Sequence, residues 1–510
     1  MVVEIMDTTL RDGEQTSGVS FARQEKLSIA RLLLEDLKIP RIEIASARVS
    51  TGEYEMAKQL CEWAEKRGHI DKIEILGFLD KGASIEWIRS CGAKVMNLLC
   101  KGSEKHCTFQ LQKTVQEHVK DIKQTIKKAK EVGLKINLYL EDWSNGIQYS
   151  PQYVFHLMDA LKNEAVERFM LPDTLGILNP LQTLKFCRAM RRRYPDLRFD
   201  FHAHNDYDLA TANTFAATLT GIQGVHCTVN GLGERAGNAP LTSVVAVLHD
   251  HVKATTGITE NMVNKVSRIV DSGIRVAANK PIIGESVFTQ CAGVHADGDN
   301  KNNLYYNDLL PERFGRKREY ALGKTSGRAN IRKNLESLGI ELDDESIKRV
   351  TQRVVELSDK KEIVTPEDLP YIISDVLKHE TIAQHVKVIN YTLNLSQGLK
   401  PVAIIAIEVN GKTYEGASTG DGQYDAFVKA IRKIYKEQLG RTFPSLTNYT
   451  VNIPPGGHTD ALVQTVISWD YNGNILKTQG LDADQMEAAI QATIKMLNLI
   501  EDKELNIQDN

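Results

Sequence analysis

At 510 residues the chain is too long for one ordinary domain, and 42% hydrophobic with 25% charged residues is the composition of a folded globular protein. A formal net charge of −3, with Lys and Arg spread along the chain, argues against nucleic acid and anionic membrane as partners. No apolar run approaches the roughly 18 residues of a membrane helix. The opening MVVEIMDTTLRDG has no signal-peptide pattern, and the seven cysteines form no C-x-x-C pair, so a reduced, cytoplasmic protein is expected.

From Val3 onward short apolar runs alternate with amphipathic stretches. The predicted strands are Val3–Met6, Arg41–Ala45, Lys72–Leu76, Lys94–Leu99, Lys135–Leu140, Arg168–Leu171, Arg198–His202 and Gly224–Val229, with helical patterns such as Arg23–Leu37, Thr114–Val132 and Pro180–Arg193 between them. Eight strand–helix units match a closed (β/α)8 TIM barrel of the α/β class, over 1–256. A doubly wound open sheet is the alternative, but it usually carries G-x-G-x-x-G at its first turn. Here that turn reads Thr8-Thr9-Leu10-Arg11-Asp12-Gly13, which favours the barrel.

Residues 257–380 read as a helical connector, with helices predicted over Asn330–Leu338, Asp344–Ser358 and Pro366–Val376. Residues 381–510 contain a degenerate repeat. Pro401–Val409 and Ala461–Tyr471 alternate, Asn410-Gly411 and Asn472-Gly473 turn, and a helix follows from Tyr424 or from about Asp484. This predicts a C-terminal α+β domain of two ββα halves.

In a barrel, chemically active side chains stand where strands end, on one face. The potent residues of this sequence fall there. Arg11 and Asp12 follow the first strand, Glu141 and Asp142 the fifth, and Asp173 and Thr174 the sixth; His202 and His204 close the seventh, and Asn230, Glu234, Arg235 and Asn238 follow the eighth. Alternate strand residues share a face, so the two imidazoles of His202-Ala203-His204 stand about 6–7 Å apart on one side. An isolated H-x-H is more often packed than ligating. With Asp12 and Asn238 also at strand ends, the set points to a divalent metal with open positions for substrate. Mn²⁺ and Zn²⁺ suit mixed N/O ligands; Co²⁺ and Mg²⁺ remain open. Such a site can bind a 2-keto acid and polarise its carbonyl. Arg11 beside it can neutralise a developing alkoxide or form a structural salt bridge, and Glu141 can act as general base or orient one.

At these residues LRDGEQ (10–15), LPDTLG (171–176), FHAHND (201–206) and NGLGERAGNAPL (230–241) resemble the isopropylmalate, homocitrate and citramalate synthase family, as do GVHADGDNKNNLY (293–305) and ALGKTSGR (321–328). NLYLEDWSNG (137–146) and IPPGG (453–457) resemble its citramalate branch, whose members take pyruvate. The resemblance implies an acyltransferase that condenses acetyl-CoA with a 2-keto acid and hydrolyses the thioester. The metal would be held by Asp12, His202 and His204, the keto-acid carboxylate by Thr174, and the keto-acid side chain by Leu76, Leu99 and Tyr139. His295, a second base candidate, would reach acetyl-CoA together with Asp297, Asn303, Leu304 and Tyr305. The last 130 or so residues resemble the family's regulatory dimer domain. There Tyr424, Asp425, Leu446, Tyr449, Ile453 and Val463 would line a site for the end product isoleucine in a homodimer. Gln423 departs from the proline that many isopropylmalate synthases carry there, and leucine is the alternative effector.

Three further readings compete. A 2-isopropylmalate synthase would take 2-ketoisovalerate and serve leucine synthesis. An acyl-CoA lyase shares the barrel and metal set, but usually lacks a regulatory domain. A non-catalytic amino-acid sensor has no use for Arg11, Glu141 and His295 together.

Overall fold

Eight strands close on themselves in the first part of the chain: β1 (Glu4–Asp7), β2 (Arg41–Ser46), β3 (Ile73–Gly77), β4 (Val95–Lys101), β5 (Lys135–Glu141), β6 (Arg168–Asp173), β7 (Phe199–Ala203) and β8 (Gly224–Cys227). All neighbours pair in parallel, and β1 closes on β8 with Glu4 opposite Gly224. The predicted strands are these strands, with ends shifted by at most two residues. The computed structural model describes residues 1–273, 281–282, 284, 286–338, 340–359, 364–377, 385–452, 463–471 and 473–508. It divides into two compact units, Met1–Gly339 with Val354–Ile363, and Ile340–Arg353 with Val364–Asn510. No helix among the described residues is long and apolar enough to cross a membrane.

Strand alternation builds the barrel in layers. Outward residues such as Ile42, Ile75, Leu98, Leu138, Phe169 and Phe201 are buried in the main core. Inward residues change character from one end to the other. Near the strand starts lie Arg41, Glu74, Asn97, Asn137, Arg168 and Asp200; two residues on come Leu76, Leu99, Tyr139, Met170 and His202; two further on stand Lys101 and Glu141. The buried charges survive because they are paired. Arg41 Nε is 2.5 Å from Glu74 Oε1 and its Nη1 is 2.5 Å from Asp200 Oδ2, while Asn137 donates to Asn97 Oδ1 at 2.9 Å. Removing one member of such a network strands the others without solvent.

The connector residues of the first unit supply β9 (Thr289–Gln290) and β10 (Glu319–Tyr320), a short parallel pair absent from the helical expectation, and helices Gly293–Asn302 and Arg328–Leu338. Buried Lys324 lies 3.3 Å from Glu14 Oε1 and also meets Glu53, and buried Lys26 holds the other side of the same two carboxylates at 2.7 and 2.5 Å. This cluster fixes the connector against the barrel.

The second unit contains two antiparallel sheets: β11 (Val386–Asn394), β12 (Val402–Val409) and β13 (Lys412–Thr419), then β14 (Ser445–Asn452), β15 (Val463–Tyr471) and β16 (Asn474–Asp482). Helices Gln423–Lys433 and Gln485–Gln508 follow, and Phe427, Ile431, Ile467, Trp469 and Met496 share one core. Each half carries one strand more than the expected ββα. β11 and β14 contain register shifts at Val388/Asn390 and Leu446/Asn448, and an extra residue of this kind breaks the two-residue alternation that marks a strand. Asn410 and Gly411 turn β12 into β13 with φ of 50° and 79°, the left-handed pair of a type I′ hairpin. Asn472 lies outside the described residues.

Candidate active site

Where β1 ends, the amides of Arg11, Asp12 and Gly13 all turn back to the Thr8 carbonyl. That tight turn lifts Asp12 over the barrel mouth. His202 near the end of β7 and His204 just beyond it face the same side, with ring centroids 5.1 Å apart. One ligand atom each from Asp12, His202 and His204 lies within 4.8 Å of the other two, and all three residues are buried. Neither Asp12 oxygen, nor Nδ1 of His202 or His204, nor Asn238 Oδ1 has a hydrogen-bond partner among the described residues. Buried polar atoms are rarely left so; Nε2 of His202 and Nε2 of His204 face Asp12 Oδ2 at 3.2 and 4.0 Å, a convergence that a divalent ion fits. Burial raises Asp12, but Arg11 and the two histidines outweigh it and hold the carboxyl well below its usual range. Burial and Arg235 press His204 well below its ordinary value, leaving a neutral imidazole suited to ligation. The loop bearing Asn238 needs glycine at 237, where φ is 87° and a Cβ would stand 1.9 Å from the Gly231 carbonyl oxygen.

A second group gathers beside the first. Glu141, the last residue of β5, accepts the Tyr305 hydroxyl at 2.6 Å on Oε1 and meets Lys101 Nζ on Oε2. His295 stacks on Tyr305 at 4.1 Å between centroids, with its Nε2 3.8 Å from Glu141 Oε1. Its Nδ1 lies against Glu234 Oε2, while Glu234 Oε1 accepts the backbone amides of Cys291 and Ala292 at 2.6 and 3.0 Å. Burial pushes Glu141 up, but Lys101 and the nearby His106 and His295 bring it down to about 2. A carboxylate so stabilised is a weak proton acceptor, so orienting a base suits it better than being one.

Arg11 runs its Nε to Glu43 Oε2 at 2.5 Å and lies 3.6 Å from Asp12 Oδ1, with its guanidinium carbon 5.9 Å above the Tyr139 ring. Leu76 and Tyr139 form one buried cluster with Met6 and Met170, and Leu99 packs against it. The Tyr139 ring meets His202 edge-on at 6.1 Å. The Thr174 hydroxyl oxygen accepts the Asp142 amide at 2.9 Å, which leaves its own proton free for a substrate oxygen. Leu304 is buried beside Tyr305 and Leu175. Asp297 and Asn303 do not join the buried group: Asp297 pairs with Lys301 at 2.9 Å on a partly exposed helix face, and Asn303 is the exposed left-handed cap of Gly293–Asn302.

Residues 2–270, more than half the chain, match the family described as HMGL-like, 282–362 match a homocitrate synthase post-HMGL domain, and 363–501 match the LeuA allosteric (dimerisation) domain. The chain belongs to the isopropylmalate, homocitrate and citramalate synthase family. It is 33% identical to the (R)-citramalate synthase of Methanocaldococcus jannaschii over 98% of this chain and 100% of that one. It is 31% identical to the 2-isopropylmalate synthase of the same organism over 98% and 94%. Among solved structures, the HMG-CoA lyase of Brucella melitensis aligns with a TM-score of 0.45 at 20% identity, over 54% of this chain and 99% of that one.

Three further charged groups stand in the site. Lys101 stands two residues beyond Leu99 on the same strand face, so continuing the alternation of β4 would have found it. Glu43 sits inside β2 where Arg-Ile-Glu-Ile reads as a half-exposed strand. Glu234 was placed at a strand end, but its His295 contact spans 61 positions of sequence and leaves no local pattern. Two other strand-end residues are tied up structurally: Arg235 forks onto Asp206 at 2.7 and 3.0 Å, and Asp173 accepts the Ile177 and Leu178 amides.

Within the LeuA-type domain, Tyr424, Asp425, Leu446 and Tyr449 line a single cavity of about 640 Å³, a size ordinary for a small-molecule site. Asp484, Gln485 and Met486, at the start of the last helix, line it too. Val463 begins β15 and is not among the lining residues, and Ile453 lies outside the described residues.

Proposed function

We propose that the protein is a metal-dependent (R)-citramalate synthase, condensing acetyl-CoA with pyruvate and hydrolysing the thioester in isoleucine synthesis. The carrying observation is the bulky apolar cluster of Leu76, Leu99 and Tyr139 inside the barrel, whose Tyr139 ring meets His202 edge-on at 6.1 Å. Asp12, His202 and His204, with Asn238 beside them, would hold the divalent ion, Mn²⁺ or Zn²⁺ by ligand type, and it supplies polarisation of the keto carbonyl. The Thr174 hydroxyl donates to the keto-acid carboxylate. His295, oriented through Nδ1 by Glu234, takes a methyl proton from acetyl-CoA at Nε2, with Glu141, Lys101 and Tyr305 fixing the geometry. Arg11 faces the alkoxide that forms when the enolate carbon attacks, and water then cleaves the thioester to release coenzyme A.

The test offers pyruvate, 2-ketoisovalerate, 2-ketoglutarate and oxaloacetate separately with acetyl-CoA and follows free thiol. Pyruvate should exceed 2-ketoisovalerate by about a hundredfold in kcat/KM, because two extra methyl groups have no room and one methylene alone is worth roughly 1–3 kcal/mol. The relatives named 2-isopropylmalate synthase give the alternative, and a preference for 2-ketoisovalerate would replace the pyruvate reading with it.

The cavity at Tyr424 and Asp425 supports feedback by isoleucine in a homodimer, with Asp425 placed to meet the amino group. Asp425→Ala should raise the isoleucine concentration for half-inhibition by about tenfold or more, the effect expected of removing a charge-assisted bond worth roughly 1.5–3 kcal/mol. Titration calorimetry with isoleucine and leucine checks this. Unchanged isoleucine binding in the variant, or preferred binding of leucine, argues against the assignment.

A further inference from the structure

Of Leu76, Leu99 and Tyr139, which flank the keto-acid side chain, only Tyr139 carries a polar end, and that end is taken up inside the barrel. Its hydroxyl crosses the barrel from β5 to β8 and stands 3.1 Å from Nδ1 of His226. Nε2 of His226 is 3.3 Å from Oδ2 of Asp200. Asp200 is fully buried and also receives Arg41 Nη1 at 2.5 Å and Arg168 Nη1 at 3.0 Å. A carboxylate between two guanidinium groups only accepts, so the proton of the third contact belongs to His226 Nε2. That leaves Nδ1 as the acceptor for the Tyr139 hydroxyl.

The consequence falls on the pocket. A buried tyrosine hydroxyl takes whatever partner it can reach, and were it free it would turn toward the substrate carboxylate or the polar barrel mouth. With His226 below, the ring is tethered at both ends and shows the substrate only carbon. The apolar side chains packed with it, Met6, Leu76 and Met170, offer no alternative anchor, and Arg11 and His202 meet the ring itself; methionine in particular adapts to a moved ring rather than resisting it. Resting on the pyruvate reading above, we propose that His226 and Asp200 are positioning residues that hold Tyr139 as the wall limiting the 2-keto acid to a one-carbon side chain.

His226 can be changed without stranding a charge, since Asp200 keeps both arginines. In the full-length enzyme, His226→Phe preserves a ring of similar size and removes the acceptor, whereas His226→Gln keeps an acceptor oxygen and a donor nitrogen. Tyr139→Phe removes the hydroxyl itself. For each variant, kcat and KM are measured with pyruvate and with 2-ketobutyrate, one methylene larger, alongside thermal unfolding. His226→Phe and Tyr139→Phe should each reduce the kcat/KM preference for pyruvate about tenfold or more, the scale of discrimination a single methylene carries. The double variant should lose no more than either single one, because both cut the same bond, and His226→Gln should recover most of the preference. A fall in kcat common to both acids with the preference unmoved overturns the proposal, as does a double variant whose losses multiply. The wild-type measurement separates the two layers. Failure to prefer pyruvate there refutes the parent reading, whereas intact wild-type preference with equally selective variants refutes only the role of His226 and Asp200.

Discussion

Alanine at His202 or at Asp12 lowers the rate of coenzyme A release by about a thousandfold or more while the barrel stays folded. The size follows from the electrostatics. Lewis-acid stabilisation of charge at the keto oxygen is worth several kcal/mol, and each 1.36 kcal/mol is a factor of ten in rate. The survival of the fold follows from the bonding. Asp12 meets Arg11, His202 and His204 at 3.6, 3.2 and 4.0 Å, and Arg11 keeps Glu43 at 2.5 Å when Asp12 is removed, so truncation at the site leaves the framework of the barrel bonded. Two measurements check the result together: bound metal per chain by elemental analysis, and thiol release before and after chelation and readdition of Mn²⁺ or Zn²⁺. The wild type should lose turnover on chelation and regain it, and the variants should hold little metal and regain nothing. Metal-dependent turnover at the wild-type level in either variant would remove Asp12, His202 and His204 as ligands.

The barrel was readable because outward strand residues are aliphatic or aromatic every second position and because each strand ends in distinctive chemistry. Arg11-Asp12, Glu141-Asp142 and His202-Ala203-His204 could be placed on one face without knowing any contact. The interior of the barrel was not readable for a related reason. Alternation such as Arg41-Ile42-Glu43-Ile44 ordinarily marks a strand with one wet face, yet Arg41 and Glu43 are both buried, each satisfied by a partner on another strand, Glu74 and Asn97. Pairing across a barrel depends on three-dimensional register, which one-dimensional alternation does not contain. The same limit hid the Tyr139–His226–Asp200 chain, whose members are 87 and 26 positions apart. It also bears on GVHADGDNKNNLY, where resemblance grouped five residues but the helix and the chain after its cap turn His295, Leu304 and Tyr305 inward and leave Asp297 and Asn303 toward the surface.

Glu234→Gln should lower kcat by about a hundred- to ten-thousandfold with little change in either KM, the range over which orienting and stabilising a histidine base contributes. The side chain keeps its size, and its amide oxygen can still accept the Cys291 and Ala292 amides, so the loop retains its shape. What is lost is the negative charge against His295 Nδ1. In the native site that carboxylate keeps the proton on Nδ1, leaving Nε2, which faces Glu141, free to accept, and it balances the imidazolium that appears once a proton is taken. Burial works against an ionised Glu234, but His295 and Arg235 pull it below its usual value, so the charge is present at neutral pH. An amide can instead present its N–H₂ to Nδ1, which favours the opposite tautomer and blocks Nε2. Exchange of the acetyl-CoA methyl protons with deuterated solvent reads this step directly, and it should slow in parallel with kcat. If kcat falls while exchange proceeds at the wild-type rate, proton abstraction belongs to another group, and Glu141, despite Lys101 at its side, becomes the base to test.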